Sequence, residues 1–113
     1  MQISVLRDLL EAQVLCGEGQ LQEDIEHVFA CDMMSDVLAC PDEINCLLTG
    51  LINQQVIRTA DMMDIGLVIF VRGKCPPEEV VEMARQRDMI VLLTGCRMFT
   101  ACGRLYEAGL GLR

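Results

Sequence analysis

Three short apolar runs dominate the hydrophobic pattern in the second half of the chain. They begin at Cys46, Val68 and Ile90, and each starts 22 residues after the one before. This spacing fits one strand, one helix and two short loops. Uninterrupted apolar runs of this length are typical of strands that a parallel sheet buries on both faces. The pattern therefore predicts parallel strands joined by right-handed crossovers.

Two amphipathic segments separate these runs and are predicted to be helices. Apolar residues recur at helical spacing on one face of each segment: Val56, Ile57, Ala60 and Met63 in the first, and Val80, Met83 and Ala84 in the second. Pro77 fits the first turn of the second helix, where its missing N–H group is not needed. The helices would cover the sheet.

The first half of the chain has a less regular pattern. Residues 3–13 predict a helix that Ser4 caps, with one apolar face formed by Val5, Leu9 and Ala12. Short strands are predicted at residues 14–17 and 28–31. Ser35 is predicted to cap a further short helix that Pro41 ends.

The last segment predicts another helix, which Gly109 ends. Its apolar face is predicted to carry Phe99, Cys102, Leu105 and Tyr106. Together these elements predict an α/β fold, a three-layer α/β/α arrangement with a mainly parallel sheet of about four strands. At 113 residues, the chain is expected to form a single domain over residues 1–113.

Composition and charge narrow the classes of partner. Hydrophobic residues make up 52% of the chain, and the formal net charge is −8. A net negative charge repels nucleic acid and anionic membranes, so neither is an expected partner. No apolar run is long enough to cross a membrane, and the start lacks the features of a signal peptide, so we expect a cytoplasmic protein. The seven cysteines are an odd number without CxxC spacing, so free thiols are expected.

The tetrapeptide Leu-Leu-Thr-Gly ends two of the apolar runs, at residues 47–50 and 92–95, and Val-Arg-Gly-Lys ends the run between them. Ligands of open α/β sheets bind at the carboxyl ends of the strands. Turn formation alone also explains Thr-Gly at such positions. The candidate ligand-binding residues are Ser35, Asp36, Thr49, Gly50, Asn53, Arg72, Gly73, Lys74, Thr94, Gly95 and Arg97.

Three of these candidates are cations, Arg72, Lys74 and Arg97. They lie at or just before predicted helix N-termini, where the helix dipole disfavours positive charge. A negative group is expected to offset them. One alternative is an internal carboxylate such as Asp32 or Asp36, and the other is an anionic ligand such as a nucleotide or a phosphate ester.

Sequence motifs of known catalytic sites are missing from the chain. It has no Walker A sequence, GxGxxG, GxSxG or HExxH. The sole histidine, His27, has Glu23 and Cys31 four residues to either side, but a strand would spread these side chains apart. We expect no catalytic residues and no metal site, and the sequence identifies no cofactor.

Four stretches of the chain carry a resemblance to a known family. They read VLCGEGQLQEDIEHVFACDMMSDVLA, LLTGLINQQVIRTA, VIFVRGK and RLYEAGL. These stretches resemble the DRTGG-domain family over nearly the whole chain, although the signature pentapeptide itself is replaced by the strand ends described above. The resemblance implies a stand-alone three-layer α/β/α domain, similar to the N-terminal domain of HPr kinase/phosphorylase. The P-loop kinase domain of that enzyme has no counterpart here.

The resemblance also implies a class of function. Relatives fused to CBS domains or to phosphotransacetylase look regulatory, and short members occur beside hydrogenase and other iron–sulfur redox genes in anaerobic bacteria. Our leading hypothesis is a non-enzymatic regulatory or ligand-sensing module that binds an anionic small molecule. The alternative is a protein-interaction or scaffold domain for anaerobic redox proteins.

Self-association is a further expectation from the sequence. The chain is rich in apolar residues, and Leu110 and Leu112 follow the glycine that ends the last helix. The short helix near residue 35 carries Met33, Met34, Val37 and Leu38 in close succession. We therefore expect a homodimer that uses the C-terminal segment and this helix. A monomer whose N-terminal helix covers these residues is the alternative.

Overall fold

The computed structural model describes residues 1–110. Within them, five α-helices and five strands follow one another along the chain. Their order is α1 (Ile3–Leu10), β1 (Gln13–Cys16), β2 (Val28–Ala30), α2 (Met34–Ala39), β3 (Cys46–Thr49), α3 (Gln54–Met62), β4 (Leu67–Phe70), α4 (Glu78–Gln86), β5 (Ile90–Leu93) and α5 (Met98–Glu107). A single 3-10 turn, Glu18–Gln20, lies between β1 and β2.

The five strands form one sheet in the order β1-β5-β4-β3-β2. Strands β2 to β5 are parallel, and β1 pairs antiparallel with β5. The register places Cys46 beside Leu67 and Leu67 beside Ile90, so the three repeated runs stand side by side. The mainly parallel sheet is confirmed, but it has five strands instead of about four.

Helices cover both faces of this sheet, because successive strand residues point to opposite sides. Helices α2, α3 and α4 pack on one face, which includes Leu47, Val68, Phe70 and Val91. Helices α1 and α5 pack on the other face, which includes Leu48, Leu67, Ile69, Ile90 and Leu92. The three-layer α/β/α prediction is confirmed.

The two central helices bury the faces that the sequence predicts. Val56, Ile57 and Ala60 of α3 are fully buried, as are Val80 and Ala84 of α4. Met63 and Met83 are only partly buried at the margin of the same core. Helical periodicity was sufficient here because each helix has a single apolar stripe.

The prediction for α1 was wrong in its cap and in its buried face. The helix begins at Ile3, and Ser4 lies inside it. The N–H groups of Ile3 and Ser4 donate to the carbonyls of Glu23 and Leu21, at 3.0 and 2.8 Å, so a distant loop replaces a side-chain cap. The buried face is Ile3, Leu6 and Leu10, whereas the predicted Val5 is 47% exposed.

The cap of α2 was also misplaced. Met33 is the N-cap residue, and Ser35 is exposed within the helix. The thiol of Cys31 accepts the N–H of Met33 at 3.3 Å, which supports an earlier start. This start lets Met34 and Val37 face the core. The helix ends at Ala39, shortly before Pro41, as predicted.

Helix α5 leaves its aromatic residues outside the core. Phe99 is 91% exposed and Tyr106 is 56% exposed, so the predicted apolar face was partly wrong. Leu105 is buried as predicted and Cys102 is partly buried, and Ala101, which was not predicted, is buried as well. Gly109, at φ 107°, follows the helix as predicted, and Leu110 donates its N–H to the carbonyl of Leu105. Leu112 lies outside the described residues.

Candidate functional site

A cavity of about 500 Å³ lies at the carboxyl edge of the sheet. The loop after β3 with the start of α3 forms one wall, and the loop after β4 with the start of α4 forms the other. Four predicted residues line it, namely Gly50, Asn53, Arg72 and Lys74. The volume lies within the usual range for small-molecule sites, about 300–1,000 Å³. We call it the strand-end cavity.

The loop after β3 is held by a carboxylate from the neighbouring strand end. The hydroxyl of Thr49 and the N–H of Gly50 both donate to Oδ1 of Asp32, at 3.0 and 2.7 Å. The N–H of Leu51 donates to the hydroxyl oxygen of Thr49 at 3.2 Å. Thr49 therefore caps this turn, as predicted. Its buried hydroxyl group already donates one hydrogen bond and accepts another.

The loop after β4 turns through two consecutive left-handed residues. Arg72 and Gly73 both have φ 66°. The N–H of Arg72 donates to the carbonyl of Cys96 at 2.7 Å, and the N–H of Gly73 donates to that of Thr94 at 2.9 Å. A non-glycine residue in this region is strained unless its surroundings fix it. The loop after β5 supplies these fixing contacts.

The two walls of the cavity meet at Gly50 and Arg72. Nη2 of Arg72 donates to the carbonyl of Gly50 at 3.3 Å. A Cβ atom on Gly50 would lie 2.5 Å from that nitrogen. The absence of a side chain at Gly50 therefore allows the guanidinium group of Arg72 to approach the loop closely, whether or not the turn itself requires a glycine.

The cations of this edge have no acidic partner among the described residues. The ion pairs within residues 1–110 join Arg7 to Asp8, Arg85 to Glu82, Arg87 to Asp61, and Arg104 to Glu11, and His27 lies beside Glu26. None of them includes Arg72, Lys74 or Arg97. Asp32, one of the carboxylates considered above, bonds the loop after β3 instead. The internal-carboxylate alternative therefore has no support in this part of the chain.

The first turns of α3 and α4 border the same cavity. Their N-cap residues are Asn53 and Pro77, and neither makes a side-chain capping hydrogen bond. Uncapped N–H groups at helix starts attract anions through their partial positive charge. The start of α3 therefore adds favourable potential for a negative ligand near Arg72 and Lys74. Glu78 and Glu79 in the first turn of α4 oppose it there.

The other predicted site residues do not line the cavity. Thr94 is buried, and its hydroxyl donates to the carbonyl of Leu10 at 2.7 Å and accepts the N–H of Cys96 at 3.1 Å. Thr49 is buried behind the cavity wall. The remaining candidates are exposed outside the cavity: Ser35 and Asp36 on α2, Gly73, Gly95 and Arg97.

Several cavity residues were not predicted from the sequence. They are Leu51, Ile52, Gln54, Pro77, Glu79 and Val80. All of them follow a candidate turn closely and occupy the loop or the first helical turn after it. Extending each strand-end motif by one helical turn would have found them.

Three cysteine thiols have a raised pKa, and none of them lines the strand-end cavity. Burial raises the pKa of the thiols of Cys16, Cys46 and Cys102 above the ordinary value of 9.0. Over residues 1–110, no three His, Cys, Asp or Glu side chains are grouped so as to hold a metal ion. In the same residues, no helix is long and apolar enough to cross a membrane.

No family model matches the chain, and no curated protein matches it in sequence. Its fold is similar to a crystal structure of the CBS and DRTGG domains from the regulatory region of Clostridium perfringens pyrophosphatase, in complex with the activator diadenosine tetraphosphate. The TM-score is 0.74 at 18% identity, over 95% of this chain and 46% of that one. The chain thus spans about half the length of that structure. At this identity, the likeness establishes a shared fold.

Proposed function

We propose that the chain is a non-enzymatic regulatory module that senses a nucleotide or another phosphorylated small molecule in the strand-end cavity. The observation that carries this proposal is the pair of exposed cations, Arg72 and Lys74, which line the cavity without an acidic partner among residues 1–110. A bound phosphate would offset both charges. Its oxygens would accept charge-assisted hydrogen bonds from these side chains.

The remaining lining residues favour a ligand larger than inorganic phosphate. Glu79 also lines the cavity, and its carboxylate would repel a phosphate but accept hydrogen bonds from sugar hydroxyls. Leu51 and Ile52, which are only partly buried, supply apolar surface for a base or another flat group. A nucleoside phosphate combines these three kinds of group in one molecule.

The fold comparison supports the same class of ligand at the level of analogy. The regulatory region with the similar fold is complexed with a dinucleotide activator. Adenine nucleotides are therefore the first compounds to test on this chain. The module would act by binding alone.

Thermal unfolding with added ligands tests the proposal. The probes are AMP, ATP, diadenosine tetraphosphate and inorganic phosphate. A ligand present at about 100 times its dissociation constant should add about 2.7 kcal/mol to the free energy of unfolding. We expect at least one nucleotide to raise the melting temperature more than inorganic phosphate does. If none of them shifts it, ligand sensing loses its support and the protein-interaction alternative gains.

A matched pair of arginine variants locates the site. Arg72→Gly removes the guanidinium group and also relieves the positive φ of this residue, so the fold should not be weakened. Its nucleotide affinity should fall at least about tenfold, because a charged hydrogen bond is lost. Arg97→Ala removes an exposed cation outside the cavity and should leave the affinity unchanged. Equal affinities in the two variants would place the ligand elsewhere.

We also propose self-association, through α2. Met33 and Leu38 of this helix are 60% and 44% exposed, whereas Met34 and Val37 are buried in the core. Leu110 is partly buried against the core beside α5, which makes the C-terminal segment the smaller contributor. Light scattering should give twice the 12.6 kDa mass of one chain. Leu38→Glu should shift this mass toward the monomer, and a wild-type mass that remains at one chain upon concentration would exclude the dimer.

A further inference from the structure

A second and larger cavity, of about 820 Å³, follows the outer edge of the sheet. Residues 25–30, residues 42–44 and one side of α5 form its walls. It shares no lining residue with the strand-end cavity. We call it the edge groove. Its floor and its rim have different chemistry.

The backbone of β2 is unpaired on the side away from β3. The N–H of Cys46 donates to the carbonyl of His27 at 3.1 Å, and the N–H of Cys31 donates to that of Leu48 at 3.0 Å. Alternate residues face the partner in a parallel ladder, so Phe29 faces β3 while Val28 and Ala30 direct their N–H and C=O groups outward. Among residues 1–110, no strand pairs with that side. Such an edge is a template for an added strand.

The inner wall of the groove is apolar. Ile25 and Leu105 are buried in it, Val28 is half-buried, and Tyr106 is exposed at its border. An added strand on β2 would direct every second side chain toward this apolar wall. The occupant therefore needs apolar residues at alternate positions.

The rim of the groove is acidic. Glu26, Asp42 and Glu43 line it and are exposed, and no Lys or Arg of the described residues does. Met1 also lines the groove, but its ammonium group donates to the carbonyl of Ile25 at 3.0 Å. Nε2 of His27 lies 3.8 Å from Oε2 of Glu26. The remaining side chains of an added strand would lie close to these carboxylates. Positive side chains at those positions would complement them.

We propose that β2 takes up an extended peptide of a partner protein, in which apolar residues alternate with Lys or Arg. The charge of the rim selects this occupant over a second copy of the chain. Two copies paired through β2 about a two-fold axis would bring the carboxylates of both rims together, on chains that each carry a net charge of −8. Like charges across a shared edge oppose pairing.

Fluorescence anisotropy with a synthetic peptide tests the docking. The probe is a labelled peptide of about nine residues that alternates Val and Lys, and the control alternates Val and Glu. The lysine peptide should bind and the glutamate peptide should not. Binding should also slow hydrogen exchange at the amides of Val28 and Ala30. Equal binding of both peptides, or binding without protection of these amides, would overturn the proposal.

Two kinds of variant separate the backbone from the charge contribution. Ala30→Pro removes an outward N–H while the inward ladder of Phe29 remains, and it should weaken peptide binding about three- to tenfold. The double variant Glu26→Gln with Asp42→Asn should weaken binding and reduce its salt dependence. The control is Glu78→Gln with Asp64→Asn, which removes two exposed charges outside the groove and should leave binding unchanged.

The charge variants keep the test decisive if Ala30→Pro does not fold. Unchanged binding in the rim variant would refute a basic partner. If the peptide does not bind, and Ala30→Pro converts a dimer into a monomer by light scattering, a second copy occupies the edge and the proposal is wrong. Neither result depends on the nucleotide site, because Arg72→Gly should bind the peptide as the wild type does.

Discussion

The two copies of Leu-Leu-Thr-Gly end strands of the same sheet but have different surroundings. In both copies the threonine hydroxyl accepts the N–H of the residue two positions later, Leu51 or Cys96. After β3, the hydroxyl of Thr49 donates to a carboxylate, that of Asp32. After β5, the hydroxyl of Thr94 donates to the carbonyl of Leu10 at the end of α1. Only the first copy contributes to the strand-end cavity.

The neighbours of each strand cause this difference. Strand β3 lies between two parallel strands, so the loops after β3 and β4 emerge side by side and leave a gap between the starts of α3 and α4. Strand β5 has the antiparallel β1 on its other side. The end of α1, which leads into β1, therefore reaches the turn of the second copy. One tetrapeptide forms one kind of turn, and its neighbours decide whether a ligand can reach it.

Thr94→Val should have the largest effect on stability. It leaves the carbonyl of Leu10 and the N–H of Cys96 without their partner in a buried region, which costs about 1–3 kcal/mol of the free energy of unfolding. Urea denaturation measures this loss. Nucleotide binding by the folded variant should be unchanged. A loss below the experimental error would mean that water or another group replaces the hydroxyl.

The strand of the first copy begins with a buried thiol, Cys46, where the second begins with Ile90. Burial raises the pKa of Cys46 well above 9.0, so the native state keeps a proton that the unfolded chain releases above that pH. The contribution of Cys46 to the free energy of unfolding is therefore fully present below pH 9. Above pH 9 it should fall by about 1.4 kcal/mol per pH unit. Denaturation of wild type and Cys46→Ala between pH 8 and about 10.5 tests this. Parallel pH profiles would contradict it.

Thr49→Val should cost less than the change at Thr94. The carboxylate of Asp32 is partly solvated and keeps its bond from the N–H of Gly50, so the loss should be about 0.5–1.5 kcal/mol. The same urea experiment provides the comparison. A loss equal to that of Thr94→Val would show that the two threonine hydroxyl groups contribute equally to the free energy of unfolding.

Alanine substitution of Gly50 or Gly95 should have the smallest effect on stability. The two substitutions should differ in their effect on nucleotide binding. A Cβ at Gly50 would displace the guanidinium group of Arg72, whereas a Cβ at Gly95 would meet no atom within 4 Å. Both alanine variants should change the free energy of unfolding by less than about 1 kcal/mol. Only Gly50→Ala should weaken nucleotide binding in a calorimetric titration. Weakening by both would extend the site to the loop after β5.

Parts of the site were predictable because they follow from local pattern. Gly50, Asn53, Arg72 and Lys74 were selected because strand ends of a parallel sheet share one edge, and all four line the cavity. Glu79, Leu51 and Ile52 were missed because nothing in a first helical turn, or in the loop before it, marks a residue as facing a neighbouring loop. Thr94 was included because its tetrapeptide is the same as that of Thr49.

The fold could be predicted further than the faces of the outer helices. The runs from Cys46, Val68 and Ile90 are almost entirely apolar, which is typical of strands buried on both faces of a parallel sheet. Helices α1 and α5 instead carry more than one apolar stripe. Ala101 is buried in place of Phe99, a choice between apolar stripes that periodicity alone does not encode.

The sequence by itself determined the layered α/β fold, the parallel core and the position of the turns, because hydrophobic periodicity and glycine placement act over short stretches of chain. The tertiary structure decided which turn borders a cavity, which cap each helix uses and which edge of the sheet remains open. These features depend on contacts between residues far apart in the chain, such as Thr94 with Leu10 and Ile3 with Glu23. A local pattern specifies the groups that need partners, and only the folded chain specifies which partners they meet.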